Sequence, residues 1–423
     1  MRTEGATALG GVPAGELART YGTPLLAIDT DVLDANVARF ARAGERFGID
    51  VCYAGKALLF VELARRIGAG SLGIDVCSLG ELLTVERAGI PPQRLVLHGC
   101  GKTPAELRAA VDGRVGRIVV DNASELADLR EIARPERPLD VLLRLNTGIE
   151  ARTHAYVRTG GEKSKFGFAA ADLDAAIEAV VGRPGLRLAG VHSHLGSQIF
   201  DAEPYLASVA ILVDAYARMR AAGAPVRDIV VGGGFGVDVR PDGERIDIEV
   251  TLAEVARAIG GAADARGVAP PRVGIEPGRA IVAEAGTSLY RVVGVKSQGT
   301  RRFAIVDGGI ADNPRPALYG AYHHPVLANR SSRDALVEFT VCGRSCENDR
   351  LVVAPLPADL EPGDLLALET TGAYTYSMAS NYNRFPKPAV VFAGSGEHRL
   401  VVRRERDEDT LRNDVVAAAD GEA

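Results

Sequence analysis

The 423-residue chain has no tryptophan, only three methionines and 5% aromatic residues. Its interior must therefore be built from aliphatic side chains and close-packed alanine and glycine. No apolar run approaches the roughly 18 residues that a membrane-spanning helix needs. The opening MRTEGATALGG lacks the basic-then-apolar pattern of a secretory signal. Positive charge is not in excess: 49 Lys and Arg stand against 55 Asp and Glu, for a net charge of −6. A nucleic-acid binder should carry a basic face, so that class is disfavoured along with membrane proteins. The five cysteines (Cys52, Cys77, Cys100, Cys342, Cys346) form no Cys-x-x-Cys pair and no zinc-ligand spacing. An odd number in a long chain points to a reduced, cytoplasmic setting without a metal site.

What is present is ordinary globular composition, with 47% hydrophobic and 25% charged residues, which excludes a largely disordered chain. The length allows two or three domains, or a barrel of about 250 residues with a smaller partner. Two signals alternate between Val51 and Gly278. Continuous apolar runs start at Val51, Gly73, Arg94, Arg117, Asp140, Leu188, Asp228 and Pro271, each reading as a strand buried on both faces of a parallel sheet. Ala/Leu/Glu/Arg-rich helical segments separate them, as at Gly80–Ala88, Ser124–Ile132 and Tyr205–Ala221. Thr103-Pro104 with Glu106 reads as an N-cap, a first-turn proline and an early acid. An open doubly wound sheet shares this alternation, but eight strand signals favour a (β/α)8 barrel. From about Gly286 helical periodicity fades, and short strand runs punctuated by Pro and Gly recur to about Glu405. They predict a C-terminal all-β sandwich or barrel. The expected divisions are an N-terminal segment at 1–30 joined to the β domain, a barrel at 31–285, the β domain at 286–405, and a flexible tail at 406–423.

A barrel keeps its chemistry at the C-terminal ends of its strands, and the unusual residues fall there. Lys56 closes the first run, His192, His194 and Ser197 the sixth, Gly232-Gly233-Gly234 the seventh, and Glu276-Pro277-Gly278-Arg279 the eighth. A glycine run lets backbone N–H groups approach an anion, and barrels commonly bind phosphate near strands seven and eight. Taken alone, the triple glycine reads equally as a tight turn. Lys56 is the only lysine before Lys102; it is either a snorkelling rim residue or a desolvated amine suited to Schiff-base chemistry. Glu276 closes a buried strand and needs a partner; opposite a pyridine nitrogen it would help make the ring an electron sink. His194 suits packing on such a ring or a plain hydrogen-bonded place in the core.

The stretches YGTP from Tyr21, CYAGKA around Lys56, DVCSLGEL from Asp75, HGCGKT from His98 and SKFGF from Ser164 form a recognisable set. GVHSHLGSQI from Gly190, GGGFG from Gly232, EPGR from Glu276, DGGIADNPRPALYGAY from Asp307, Cys346-Glu347 and GAYTYSMASNYN from Gly372 extend it. Across roughly Gly15 to Phe392 the chain resembles the fold-type III pyridoxal-phosphate decarboxylases, and the RPALY and GAYTYSMASNYN segments resemble their diaminopimelate branch. The resemblance implies pyridoxal 5′-phosphate as cofactor, held covalently by Lys56. It makes His194 the ring-stacking histidine, Ser197, Gly233 and Gly234 phosphate donors, Gly278 and Arg279 lining for phosphate and substrate, and Glu276 the partner of the pyridine nitrogen. Arg279, Arg315 and Tyr319 would grip the distal carboxylate of the substrate and Glu347 its distal ammonium. Tyr374 would be shared by phosphate and substrate, and Cys346 would be a proton donor from a neighbouring subunit.

The implied reaction is decarboxylation of meso-2,6-diaminopimelate to L-lysine by a homodimer with shared active sites. Two arginines beside a tyrosine suit a planar carboxylate, which a guanidinium binds bidentately. Alternatives are a same-fold decarboxylase of lysine, ornithine or a carboxylated polyamine, or a non-catalytic regulatory homologue. Two departures stand out. The run Cys346-Glu347-Asn348-Asp349-Arg350 is one residue shorter than the family's usual loop, which bears on substrate identity. Thr147 replaces a proline common at its position.

Overall fold

The computed structural model describes residues 7–149, 164–239, 243 and 246–415. The chain divides into two compact units, Leu33–Ala283 and a second made of Met1–Val32 with Glu284–Ala423. In the first, eight parallel strands close into a barrel in chain order: β1 (Ile49–Ala54), β2 (Gly73–Val76), β3 (Leu95–Leu97), β4 (Arg117–Val120), β5 (Leu139–Arg144), β6 (Leu186–His192), β7 (Asp228–Val230) and β8 (Arg272–Ile275). The eight apolar runs are these eight strands, so the open-sheet alternative falls. Val273 of β8 sits opposite Ile49 of β1, and that pairing closes the ring. Val96, Val119, Leu142, Ala189 and Val230, with Cys52 against them, form one apolar cluster with a residue from each of six strands, the layered filling of a barrel core.

Helices follow where the sequence periodicity puts them, and their caps explain where they begin. Thr103 and Glu106 form a reciprocal capping box at Pro104–Val111, while Asn122 accepts the Glu125 N–H at the start of Ala123–Ile132. The first crossover helix spans Val61–Ala69 rather than starting at Leu58, because Gly55–Ala57 folds into a 3-10 turn that presents Lys56. At the N-terminal rim, Asp228 is bound by Arg272 at 2.6 Å, and Asp140 pairs with Arg187 and Arg227. This end of the barrel is sealed by ion pairs, leaving the opposite end for chemistry.

The second unit carries a nine-stranded mixed sheet. Its main path runs Arg350–Pro357, Leu336–Cys342, Arg301–Val306, Gly286–Gln298, Leu25–Asp29, Ala389–Gly394, Glu397–Val402. Leu365–Leu368 joins Gly286–Gln298 and carries Pro325–Leu327. The 13-residue strand Gly286–Gln298 alternates its side chains between two cores. Leu289 packs with Leu17, Leu25 and Val391, whereas Tyr290 and Val292 pack with Phe339, Val341 and Leu366. Leu25–Asp29 lies mid-sheet, antiparallel to Gly286–Leu289 and parallel to Ala389–Ala393. Beyond Arg406, Asp407–Leu411 forms a short 3-10 turn anchored by Arg403–Asp409 and Arg412–Glu405 ion pairs. The remainder of the expected tail, 416–423, and residues 1–6 lie outside the described residues. No helix among those described is long and apolar enough to cross a membrane.

Candidate active site

The C-terminal ends of the barrel strands bring together Lys56, Asp75, His98, Asp121, Arg144, His192, His194, Ser197, Gly232–Gly234 and Glu276. Glu276 lies at the end of β8, 7% exposed. Its Oε1 accepts from His98 Nε2 and its Oε2 from His192 Nε2, both at 2.9 Å. Burial works against the charge, but the two imidazoles outweigh it and hold the carboxyl well below the usual carboxylate range. Burial likewise pushes the His98 imidazole down to about 4 against the pull of Glu276. An ionised carboxylate has acceptor sites beyond these two bonds, so Glu276 can still receive an N–H from a bound ring. By spacing alone His98, His192 and Glu276 could hold a metal ion, with donor atoms within 4.8 Å. Their hydrogen bonds, however, use both Nε2–H groups as donors.

His194 is half-buried. Its Nδ1 accepts the Gly233 N–H at 3.2 Å, which requires a neutral ring with its proton on Nε2. Burial and then the charges of Lys56 and Arg144 hold it neutral, well below the usual histidine range. The three glycines are needed where they stand. A Cβ at Gly233 would sit 1.9 Å from the Glu276 carbonyl oxygen. One at Gly232 would meet Ser193 O at 2.5 Å, and one at Gly234 would meet Gly196 O at 2.3 Å. Gly232 and Gly234 also have φ of +80° and +99°, where glycine pays no steric penalty. The glycine turn therefore packs flush against the backbone carrying His194, Ser197 and Glu276. Beside it, the Arg279 guanidinium lies 3.3 Å from the Ser197 hydroxyl. A cation, a hydroxyl and a glycine turn whose backbone no side chain covers together suit a phosphate.

Lys56 rides on the 3-10 turn after β1 and is exposed. The chain alone therefore does not desolvate this amine, contrary to one of the two expectations for it. Its surroundings are charged instead: it acts electrostatically on Asp75, His98 and His194. Gly278 packs against its turn, where a Cβ would meet those of Ala54 and Ala57 at 3.0 and 3.1 Å. Asp75 is buried, and burial followed by repulsion from Glu276 raises its pKa well above the usual range. Arg144 is buried between Asp121 (3.3 Å) and the face of Phe166 (4.5 Å). Lys102 is buried, its ammonium bound by Gly99 O, Val119 O and Glu125 Oε1.

Two further groupings stand in the other unit. Arg315 is 6% exposed, with its guanidinium 4.9 Å from the Tyr319 ring and 5.5 Å from the Tyr374 ring. Separately, Cys346 and Glu347 are exposed on a loop held by Tyr382, whose hydroxyl donates to Glu347 Oε1 at 2.6 Å, and by Asn383, whose Oδ1 accepts the Cys346 N–H. Asp349, buried, anchors the shortened loop by accepting the Ile310 N–H, and Gly309 and Gly343 close around it. Four of the seven described non-glycine residues with left-handed φ fall in this region: Thr370, Tyr374, Asn383 and Arg384. Such strain concentrates at ligand-contacting segments.

Comparison with known proteins decides the family. Residues 33–283 match the family of pyridoxal-dependent decarboxylases over its pyridoxal-binding domain. The chain is 43% identical over 415 residues to a diaminopimelate decarboxylase of Actinosynnema pretiosum, covering 97% of this chain and 93% of that one. This chain belongs to the diaminopimelate decarboxylase family. Another member, from Bacillus subtilis, is 40% identical over 419 residues, covering 96% and 94% of the two chains. The crystal structure of the Helicobacter pylori diaminopimelate decarboxylase complexed with L-lysine superposes with a TM-score of 0.85 at 31% identity, covering 94% of this chain and 98% of that one. Members of this family depend on pyridoxal phosphate, and the barrel rim fits that group. The glycine turn with Ser197 and Arg279 suits its phosphate, neutral His194 its flat ring, ionised Glu276 its ring nitrogen, and Lys56 its aldehyde.

The pattern in the sequence singled out Lys56, His194, Ser197, Glu276 and the glycine turn. His98, Tyr382 and Asn383 lay inside quoted motifs without a role, and His192 was noted without a partner. A histidine closing a strand beside another strand-closing acid was the available signal, but which strands meet across the barrel is set by closure.

Proposed function

We propose that this chain releases CO2 from the D-centre of meso-2,6-diaminopimelate and so produces L-lysine. The observation that carries this reading is the ionised, buried Glu276 beside neutral His194, the glycine turn and Lys56 at one barrel rim. When bound there, pyridoxal phosphate supplies an electron sink for the charge left as CO2 departs. Lys56 would hold the cofactor's aldehyde through its amine. Ser197, Gly233, Gly234, Gly278 and Arg279 would retain the phosphate, and neutral His194 would pack against the ring. Glu276 would accept a hydrogen bond from the ring nitrogen.

Arg315 and Tyr319, with Arg279, bind the distal carboxylate, Glu347 binds the distal ammonium, and Tyr374 serves both phosphate and substrate. The buried Arg315 guanidinium beside the Tyr319 and Tyr374 rings favours a substrate with a distal carboxylate over lysine or ornithine, because its planar fork matches a carboxylate bidentately. Cys346 gives the proton that replaces CO2. Cys346 and Glu347 are solvent-exposed in the single chain, as groups offered to a neighbouring subunit would be, so the reading includes a homodimer with shared sites. A cytoplasmic setting agrees with the five cysteines, none of which is disulfide-bonded. The test is CO2 release from meso-diaminopimelate, L-lysine, L-ornithine and L-arginine side by side. Preference for meso-diaminopimelate is expected; faster release from any of the others overturns the substrate assignment.

A further inference from the structure

The two histidines around Glu276 are a feature that neither the motif pattern nor the proposed roles explain. Their bonds come from three separate strand ends: His98 follows β3, His192 ends β6 and Glu276 follows β8. The carboxylate is approached from two directions, because the imidazole rings are 5.0 Å apart and inclined at 68°. Each ring uses its Nε2–H on a different oxygen, both at 2.9 Å. Rotation of the carboxylate about its last bond would break both contacts in a site where His192 is 1%, His98 7% and Glu276 7% exposed.

His192 cannot exchange tautomers at low cost. Its Nδ1 is buried with no hydrogen-bond partner. A proton there would leave a buried donor unsatisfied and remove the bond to Glu276, and each loss is destabilising. The backbone of each histidine is also fixed. The His98 N–H donates to Val76 O, and His192 sits in register with Val230 and Arg144.

We propose that His98 and His192 are positioning residues that lock the Glu276 carboxylate in one orientation, so that its free acceptor sites hold the proton on the ring nitrogen of the bound cofactor. They touch neither substrate nor reacting atoms; they act through Glu276. The proposal rests on the reading that Glu276 faces the ring nitrogen. Orienting a buried acceptor before the reaction avoids reorganisation when charge moves into the ring.

The test uses the cofactor-loaded enzyme, with the cofactor isotopically labelled at its ring nitrogen and read by NMR, together with steady-state kinetics. His98→Leu removes one donor. The ring-nitrogen signal should move towards that of an unprotonated pyridine, and kcat should fall about tenfold to a hundredfold, the effect of losing one charge-assisted hydrogen bond, with KM nearly unchanged. His98→Gln, whose amide reaches the Nε2 position, should restore the signal and most of kcat. His98→Asn, of similar polarity but too short, should not. That amide pair keeps the test readable if the leucine variant fails to fold. A wild-type ring signal in His98→Leu, or identical signals in the Gln and Asn variants, overturns the proposal. Glu276→Gln separates the two layers: if it leaves the ring signal unchanged, the assignment of Glu276 itself fails. If it shifts the signal while the His98 variants do not, only the positioning role fails.

Discussion

Replacing Arg315 with methionine removes one of the most deeply buried cations of the second unit while keeping much of the side chain's length. In the native chain its guanidinium lies over Tyr319 and Tyr374 at 4.9 and 5.5 Å and is 6% exposed. Two effects follow, and they can be separated. The cation–π contacts contribute about 1–2 kcal/mol when desolvated, so the variant should unfold at modestly lower denaturant. A buried charge pair with the distal carboxylate is worth about 2–5 kcal/mol when one partner is truncated. At 1.4 kcal/mol per decade, that is a fall of about 30-fold to several thousand-fold in kcat/KM for meso-diaminopimelate. Arg315→Lys keeps the charge but loses the planar fork and its aromatic stacking, so it should fall between the two. The assay is steady-state CO2 release alongside a cofactor titration of each variant. Cofactor affinity should stay within a few-fold of wild type. Equal losses of substrate and cofactor affinity, or kcat/KM within threefold of wild type, would refute the reasoning.

Lys56→Ala should abolish both turnover and the visible absorbance of bound cofactor, measured on protein shown to be folded by circular dichroism; retained turnover would remove its role. Gly233→Ala places a methyl 1.9 Å from the Glu276 carbonyl oxygen. The backbone must shift, so cofactor affinity should drop at least tenfold in a fluorescence titration, and an unchanged affinity would count against the cradle. The cofactor-free protein should lose stability as pH falls from about 6.5 towards 4. His98 is held down to about 4 in the folded chain, so the unfolded chain takes up a proton first, at a cost on the order of 3 kcal/mol. Glu276, held low, acts in the same direction. Asp312, raised to about 6 by burial, acts oppositely, its contribution being present at low pH and lost as pH rises through 6. Urea midpoints for wild type and His98→Leu across this range should therefore converge at acid pH; parallel curves would contradict the assignment.

The barrel was readable because each of its strands is a local, continuous apolar run and its crossovers carry helical periodicity, neither of which depends on distant pairing. Lys56, Ser197, Glu276 and the glycine turn were readable for a related reason: strand ends are where a barrel gathers its polar groups. Leu25–Asp29 was harder, because its partners at Gly286–Leu289 and Ala389–Ala393 lie hundreds of residues away and its five residues carry no turn signal of their own. Pro325–Leu327 has only three residues and starts with proline. The contacts of Glu276 with His98 and His192 span 178 and 84 residues and exist only once β3, β6 and β8 are closed into one ring. The hold of Tyr382 and Asn383 on the Cys346–Glu347 loop depends likewise on tertiary approach, and on an Asn383 φ of 51° that no propensity would have suggested.

The central claim is that one amine, Lys56, carries the cofactor. The direct measurement is borohydride reduction of the cofactor-loaded protein, which fixes the cofactor to whichever lysine holds it, followed by peptide mass mapping. The account predicts a single pyridoxyl adduct on the peptide containing Lys56. An adduct on any of the other five lysines, or none in protein that still releases CO2, would contradict it.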